Sequence, residues 1–150
     1  MATEDDRAYP VRPWVGVGVV VWREQQVLLV RRGRPPRKGE WGIPGGAQAL
    51  GETVFDAARR EVLEETGLTI RPTAIVTVVD SIIPGDHGGV EYHYTLVEVS
   101  AEWVSGEAMA ASDADEVSWV KSETVPDLVA WGETARVVAL ARSLRAGKLG

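Results

Sequence analysis

Gly46-Ala-Gln-Ala-Leu-Gly-Glu52-Thr-Val-Phe-Asp-Ala-Ala-Arg-Arg60-Glu61-Val-Leu-Glu64-Glu65-Thr-Gly67-Leu68 sets a glycine turn ahead of a helix with three carboxylates on one side. At about 100° per residue, Glu61, Glu64 and Glu65 occupy positions i, i+3 and i+4 and share one sector of the helix surface. Val54, Phe55, Ala58 and Val62 fill the neighbouring sector, so the carboxylates stand at the edge of the buried stripe. Such a cluster repels itself unless a hard divalent cation sits among the oxygens or water screens them. A solvated acidic face would lie opposite the apolar stripe, with lysines interleaved. No lysine occurs between Lys38 and Lys121, and Arg59 and Arg60 are the only cations inside the helix. Arg60 can orient a neighbouring carboxylate by a charge-assisted bond. The spacing favours a metal site over a solvated face.

The flanks agree. Thr53 is a good N-cap, with Asp56 three residues on as a weaker capping-box partner. Gly67 stands where a left-handed residue closes a helix, so a helix is predicted over 53–66. Before it, Trp41-Gly-Ile-Pro-Gly45-Gly46 is a turn in which Gly45 and Gly46 let the backbone approach a ligand or ion closely.

These residues match the pattern G-x5-E-x7-R-E-(apolar)-x-E-E-x-G-(apolar) at every position, and the chain resembles the Nudix hydrolases. The resemblance covers roughly Trp14 to Arg145. It implies an α/β fold, a mixed β-sheet sandwiched between helices, in a single domain over 13–150 behind a flexible tail over 1–12. Val27-Leu-Leu-Val-Arg-Arg-Gly-Arg-Pro-Pro-Arg-Lys-Gly-Glu-Trp-Gly-Ile-Pro-Gly-Gly46 looks like the bacterial ADP-ribose pyrophosphatase-like branch.

Composition fits a small soluble enzyme. One hundred and fifty residues make one domain with a sizeable core. The absence of cysteine excludes disulfides and thiolate zinc sites and is compatible with the cytoplasm. A net charge of −6 argues against nucleic-acid polymers as partners. The polar, acidic first residues are unlike a signal peptide. The longest apolar run, 14–22, is too short to span a bilayer.

Alternation and turn residues predict strands over 14–22 and 27–31, joined by a polar turn. Further strands are predicted over 68–71, 74–80, 91–99 and 117–120. In the third of these, Tyr92, Tyr94 and Leu96 share one face. The segment from Ser81 to Gly89 reads as a turn. Val137, Val138, Leu140, Ala141 and Leu144 have helical spacing, which predicts a core helix over 134–144.

Hydrolysis of a diphosphate bond needs an activated water and neutralised phosphoryl charge, and Mg²⁺ supplies both through oxygen ligands. The resemblance implies that Glu61, Glu64 and Glu65 ligate Mg²⁺ (or Mn²⁺) together with the carbonyl of Gly45. Glu61 is also a candidate to activate water, while Glu52 and Arg60 orient the cluster. Family members often carry a further carboxylate six residues before a tryptophan that opens a strand. Trp119 puts Asp113 there, as a candidate base beside Asp115 and Glu116.

Arg31, Arg32, Arg34, Arg37 and Lys38 place five cations before the glycine turn. Arg31 and Arg32, at a strand end, are the candidates for phosphate contact, with Gly46 as a backbone contact. Pro84 lies sixteen positions past Leu68. In the resembling family, a proline at about that distance accompanies ADP-ribose hydrolysis. His87 and His93 read as a loop residue and a packed strand residue.

The expected activity is Mg²⁺-dependent cleavage of a nucleoside diphosphate linked to another moiety, of the ADP-ribose or NDP-sugar type. One alternative is a nucleoside triphosphate pyrophosphohydrolase; another is a regulatory domain that binds such a ligand without turnover. The expected partner is the small-molecule substrate, with no membrane, and the resemblance is compatible with a homodimer.

Overall fold

The computed structural model describes residues 6–147. β1 (Trp14–Arg23) and β2 (Gln26–Arg32) form a hairpin over the tight turn at Glu24, whose φ is 57°. Valines on both faces of β1 suit a strand covered on both sides. Val17, Val19 and Val21 pack toward α1 (Val54–Thr66). Val20 and Trp22 pack toward α2 (Val125–Leu128) and α3 (Gly132–Gly147). The helices thus cover both faces of one sheet, the expected mixed α/β sandwich.

The hairpin is paired only near its turn, at Trp22 with Val27 and Arg23 with Gln26. Farther along, the two strands take different neighbours. β4 (Gly45–Ala47) runs antiparallel to β1 at Gly16–Gly18. β7 (Ala114–Lys121) runs antiparallel to β2, and β3 (Trp41–Gly42) pairs its other edge. This divergence opens the space in which the candidate site lies.

β5 (Thr69–Pro84) and β6 (Val90–Ser105) pair antiparallel along their lengths. β6 also lies parallel to β1, from Trp14 opposite Tyr94 to Trp22 opposite Glu102. A parallel pair requires a long crossover, which α1 and β5 supply. The path through the sheet is β3-β2-β1-β6-β5. Among the described residues no helix is long and apolar enough to cross a membrane.

Several boundaries differ from the sequence expectations. The two strands predicted over 68–71 and 74–80 are one, because a bulge at Pro72 absorbs the missing N–H without ending the ladder. Ser81 to Pro84 belong to β5, and the turn is confined to the glycine-rich residues after Pro84. β6 runs on to Ser105, paired on both edges for most of its length. β3, β4 and α2 were not foreseen, since their few residues carry no period to read. Of the expected tail, residues 1–5 lie outside the described residues. Tyr9 donates its N–H to Glu91 O at 2.7 Å, which ties the remainder to β6.

The expected caps of α1 are present. Thr53 Oγ1 accepts the N–H of Asp56 at 3.1 Å. The Asp56 carboxylate accepts from Arg59 at 2.8 Å instead of reaching back to the cap. Gly67 closes the helix at φ 77° and donates its N–H to Leu63 O. Because an L side chain in this conformation is strained, Gly67→Ala should cost about 1–2 kcal/mol, read as a lowered urea midpoint. An unchanged midpoint would show that the left-handed cap is dispensable.

Candidate active site

The acidic face of α1 is organised by one side chain. Arg60 donates Nε to Glu52 Oε2 at 2.7 Å and Nη2 to Glu52 Oε1 at 2.9 Å, a bidentate pair. Nη2 also donates to the carbonyl of Ala47 at 3.0 Å. Nη1 reaches Glu61 Oε1 at 2.7 Å and Glu64 Oε2 at 3.3 Å. One guanidinium therefore joins the glycine turn, the helix approach and two helix carboxylates. Its hydrogen bonds hold Glu52 down at about 2, and Glu52 in turn raises Arg60 above its ordinary value. Glu52 also accepts the N–H of Ala49 at 3.0 Å, which shapes the loop before the helix.

Glu61 and Glu65 are buried, whereas Glu64 is exposed. Burial raises the Glu61 carboxyl despite the Arg60 bond. Burial and the Glu61 charge push Glu65 up to about 8. Gly45 donates its N–H to Glu65 Oε1 at 3.3 Å, and Arg32 offsets part of the charge. Gly45 is required by its neighbours, because a Cβ there would run into the carbonyl of Val17. A Cβ on Gly46 would meet the carboxyl of Glu61. The glycine turn and the acidic helix are in van der Waals contact for that reason.

Beside them lies a cavity of about 140 Å³, bounded by the diverging strands β1 and β2. Arg32, Gly45, Gly46, Glu65 and Asp113 all line it. Arg32 donates Nε to Pro36 O at 2.7 Å, and burial lowers it from the usual arginine value. Asp113 is half exposed and faces Arg34 Nη1 at 3.3 Å. Arg31 is directed elsewhere: its Nη2 pairs with Glu116 at 2.6 Å across β2 and β7, away from the cavity wall. Pro84, opposite Val90 at the far end of β5, is also outside the wall. Adjacent residues of a strand face opposite ways, which separates Arg31 from Arg32.

Sequence reasoning missed Glu98, a wall residue of β6 that is 4% exposed. Glu98 continues the face of Tyr92, Tyr94 and Leu96, and a charged residue at that position was the available signal. It also named no aromatic contact, and Trp41, Trp131 and Tyr94 line the cavity. Arg37 stacks over Trp131 at 4.1 Å from the ring centre.

Among the described residues, no three acidic or histidine side chains already converge at ligand spacing. Arg60 draws Glu61 and Glu64 toward itself, and Gly45 holds Glu65. The donor chemistry nevertheless fits a hard divalent ion: Glu61 and Glu65 are both buried, the Glu61 charge raises Glu65, and Glu65 lies in the cavity wall beside the glycine turn.

A model of the NUDIX domain matches residues 12–141. The chain is 31% identical over 118 residues to the ADP-ribose pyrophosphatase of Methanocaldococcus jannaschii, covering 79% of this chain and 68% of that one. It is 35% identical over 133 residues to a putative 8-oxo-dGTP diphosphatase 2 of Mycobacterium tuberculosis, covering 87% of this chain and 89% of that one. The crystal structure of a MutT NUDIX hydrolase from Burkholderia pseudomallei is similar, with a TM-score of 0.72 and 30% identity. That likeness covers 86% of this chain and 98% of the other.

Two outcomes follow from the electrostatics. Glu65 holds its proton to about 8 in the fold but to the ordinary carboxyl range when unfolded. The folded state then binds more protons between those values, so the cation-free protein loses stability as pH rises through that window. Glu65→Gln should flatten this decline in urea unfolding at a series of pH values; an unchanged slope would exclude Glu65 as its source. Arg60→Lys keeps the charge but not the fork, and should weaken Mg²⁺ affinity about 10–100-fold in calorimetry. Equal affinity would show that the guanidinium does not position the carboxylates.

Proposed function

The chain belongs to the Nudix family, and on that premise we propose that it is a Mg²⁺-dependent pyrophosphohydrolase. Its substrate is a nucleoside diphosphate linked to another moiety, of the ADP-ribose or NDP-sugar type. The products are a nucleoside monophosphate and a phosphorylated partner. The observation that carries this reading is the buried Glu65 carboxyl, which lines the cavity together with Arg32 and stands one helical turn from the buried Glu61. Negative charge that a fold does not neutralise, next to a cation suited to phosphate, is the arrangement that anhydride hydrolysis requires.

Glu61, Glu64, Glu65 and the backbone of Gly45 would hold the ion. When bound, Mg²⁺ (or Mn²⁺ in its place) supplies acidification of water and charge neutralisation at the phosphates. Arg60 and Glu52 keep the helix carboxylates in position, a task that needs the bidentate pair. Arg32 binds a phosphate oxygen, and Gly46 lets the diphosphate approach the turn without a side chain between them. Glu61, through its second oxygen, or Asp113 from across the cavity takes the proton of the attacking water. Arg31, engaged with Glu116 away from the cavity, has no part in this assignment. Pro84 supports this reading by sequence alone. We place the protein in the cytoplasm, with which a cysteine-free sequence is compatible.

A second reading is favoured by the similarity to the mycobacterial protein, named a putative 8-oxo-dGTP diphosphatase. Product analysis separates the two. With Mg²⁺, ADP-ribose should yield AMP and ribose 5-phosphate, EDTA should abolish turnover, and Glu65→Gln should lower kcat at least about 100-fold. Pyrophosphate release from a dNTP, with no cleavage of diphosphate-linked substrates, would replace the first reading by the second. Turnover identical in native protein and Glu65→Gln, with ligand still bound, would point to a non-catalytic binding domain.

A further inference from the structure

The cavity continues beyond Glu65 and Arg32 to an end that phosphate chemistry does not use. Trp41, Ile43, Leu96, Trp131 and Val137 make that end apolar. Glu98 lies in its wall, 4% exposed, and its Oε2 has no hydrogen-bond partner among the described residues. A buried carboxyl without a partner opposes folding, so a residue of this kind calls for a ligand.

Two neighbours show that the fold accommodates it rather than neutralises it. Gly18 of β1 stands opposite Glu98 in the parallel ladder, and a Cβ there would collide with the Glu98 carboxyl. The charged group facing it from α3 is Glu133, a like charge, with Thr134 beside it in the wall. Burial and Glu133 push Glu98 up to about 7. Two donors arriving together would favour the ionised form and release the proton.

An ionised carboxyl offers two adjacent acceptors and no donor. Its complement is an edge with two adjacent N–H donors. Guanine has one, N1–H beside the 2-amino group. Adenine, cytosine and uracil place an acceptor next to each donor, and hypoxanthine lacks the second donor.

We propose that Glu98 is the specificity-determining residue of this cavity, accepting the N1–H and 2-amino donors of a guanine-type base held between the apolar walls. This rests on the hydrolase reading above, and within that substrate class it selects guanine derivatives over ADP-ribose. Gly18 is a positioning residue, because it leaves the room that Glu98 occupies.

The test is binding of GMP, IMP and AMP in the presence of Mg²⁺, by calorimetry and by quenching of tryptophan fluorescence. These monophosphates contain no anhydride to cleave. The native protein should prefer GMP over IMP by roughly tenfold or more. Glu98→Gln turns a donor toward the base, so GMP should weaken by roughly tenfold and the GMP-to-IMP ratio should fall to near one. The variant should melt at or above the native temperature at alkaline pH, since it removes a buried charge. Gly18→Ala should reproduce the loss by displacing the carboxyl while Glu98 stays in the chain. An unchanged GMP-to-IMP ratio in Glu98→Gln, or no binding of GMP at millimolar concentration, would overturn the assignment. Hydrolysis of GDP- and ADP-linked sugars on the same proteins separates the two proposals. Turnover indifferent to Glu98 leaves the activity and removes the base reader. Glu98-dependent GMP binding without turnover of any anhydride leaves the base reader and removes the hydrolase.

Discussion

Arg60 donates from a single guanidinium to Glu52, Glu61, Glu64 and the carbonyl of Ala47, and the candidate site exists because these partners are held in one place. Glu52 ends the loop that leads into α1, Ala47 ends the glycine turn, and Glu61 and Glu64 stand on the helix. Each would be a short acidic or backbone feature of little consequence without the others. A planar fork with several donors joins them as an ammonium could not. The strong pair is with Glu52, and the contacts to Glu61 and Glu64 are a secondary use of the same group.

Close backbone approach is the second requirement. Helix α1 meets β4 at a distance that excludes a Cβ on Gly46, and β1 approaches it closely enough to exclude one on Gly45. β4 in turn occupies the edge of β1 that a fully paired hairpin would have given to β2. The cavity is the consequence of that exchange of partners. Its walls come from backbone and apolar side chains, and its polar groups come from elements distant in sequence. Glu65 arrives on a helix, Arg32 at a strand end, Asp113 on the residues before β7, and Glu98 in the middle of β6.

Electrostatically the cavity is unbalanced in two ways. Near the glycine turn, burial raises Glu61, and burial with the Glu61 charge raises Glu65, where Arg32 is a partial compensation. At the apolar end, burial and the like charge of Glu133 raise Glu98. Ion pairs that stabilise the fold elsewhere, such as Arg145 with Glu102, are complete. The incomplete ones line the cavity. Groups with perturbed affinity for protons in a concave wall mark a place where a ligand supplies what the chain leaves out.

What the residues determined on their own was local. The i, i+3, i+4 spacing of Glu61, Glu64 and Glu65, the Thr53 cap, the Gly67 stop and the glycine pair are short-range facts, and helix periodicity makes them legible. The alternation of 14–22 and the helical spacing after Thr134 likewise indicated both layers of the sandwich. Tertiary structure decided what depends on register and on long separation. Whether Arg31 or Arg32 faces the cavity turns on strand alternation beside β7, and a run of adjacent cations does not reveal it. The pairing of Glu98 with Gly18 depends on a parallel ladder between strands about eighty residues apart. The bulge that carries β5 through Pro72 depends on its partner strand. Neighbours three or four positions away on a helix are set by geometry of the backbone itself, whereas neighbours across a sheet exist only after the chain has closed on itself.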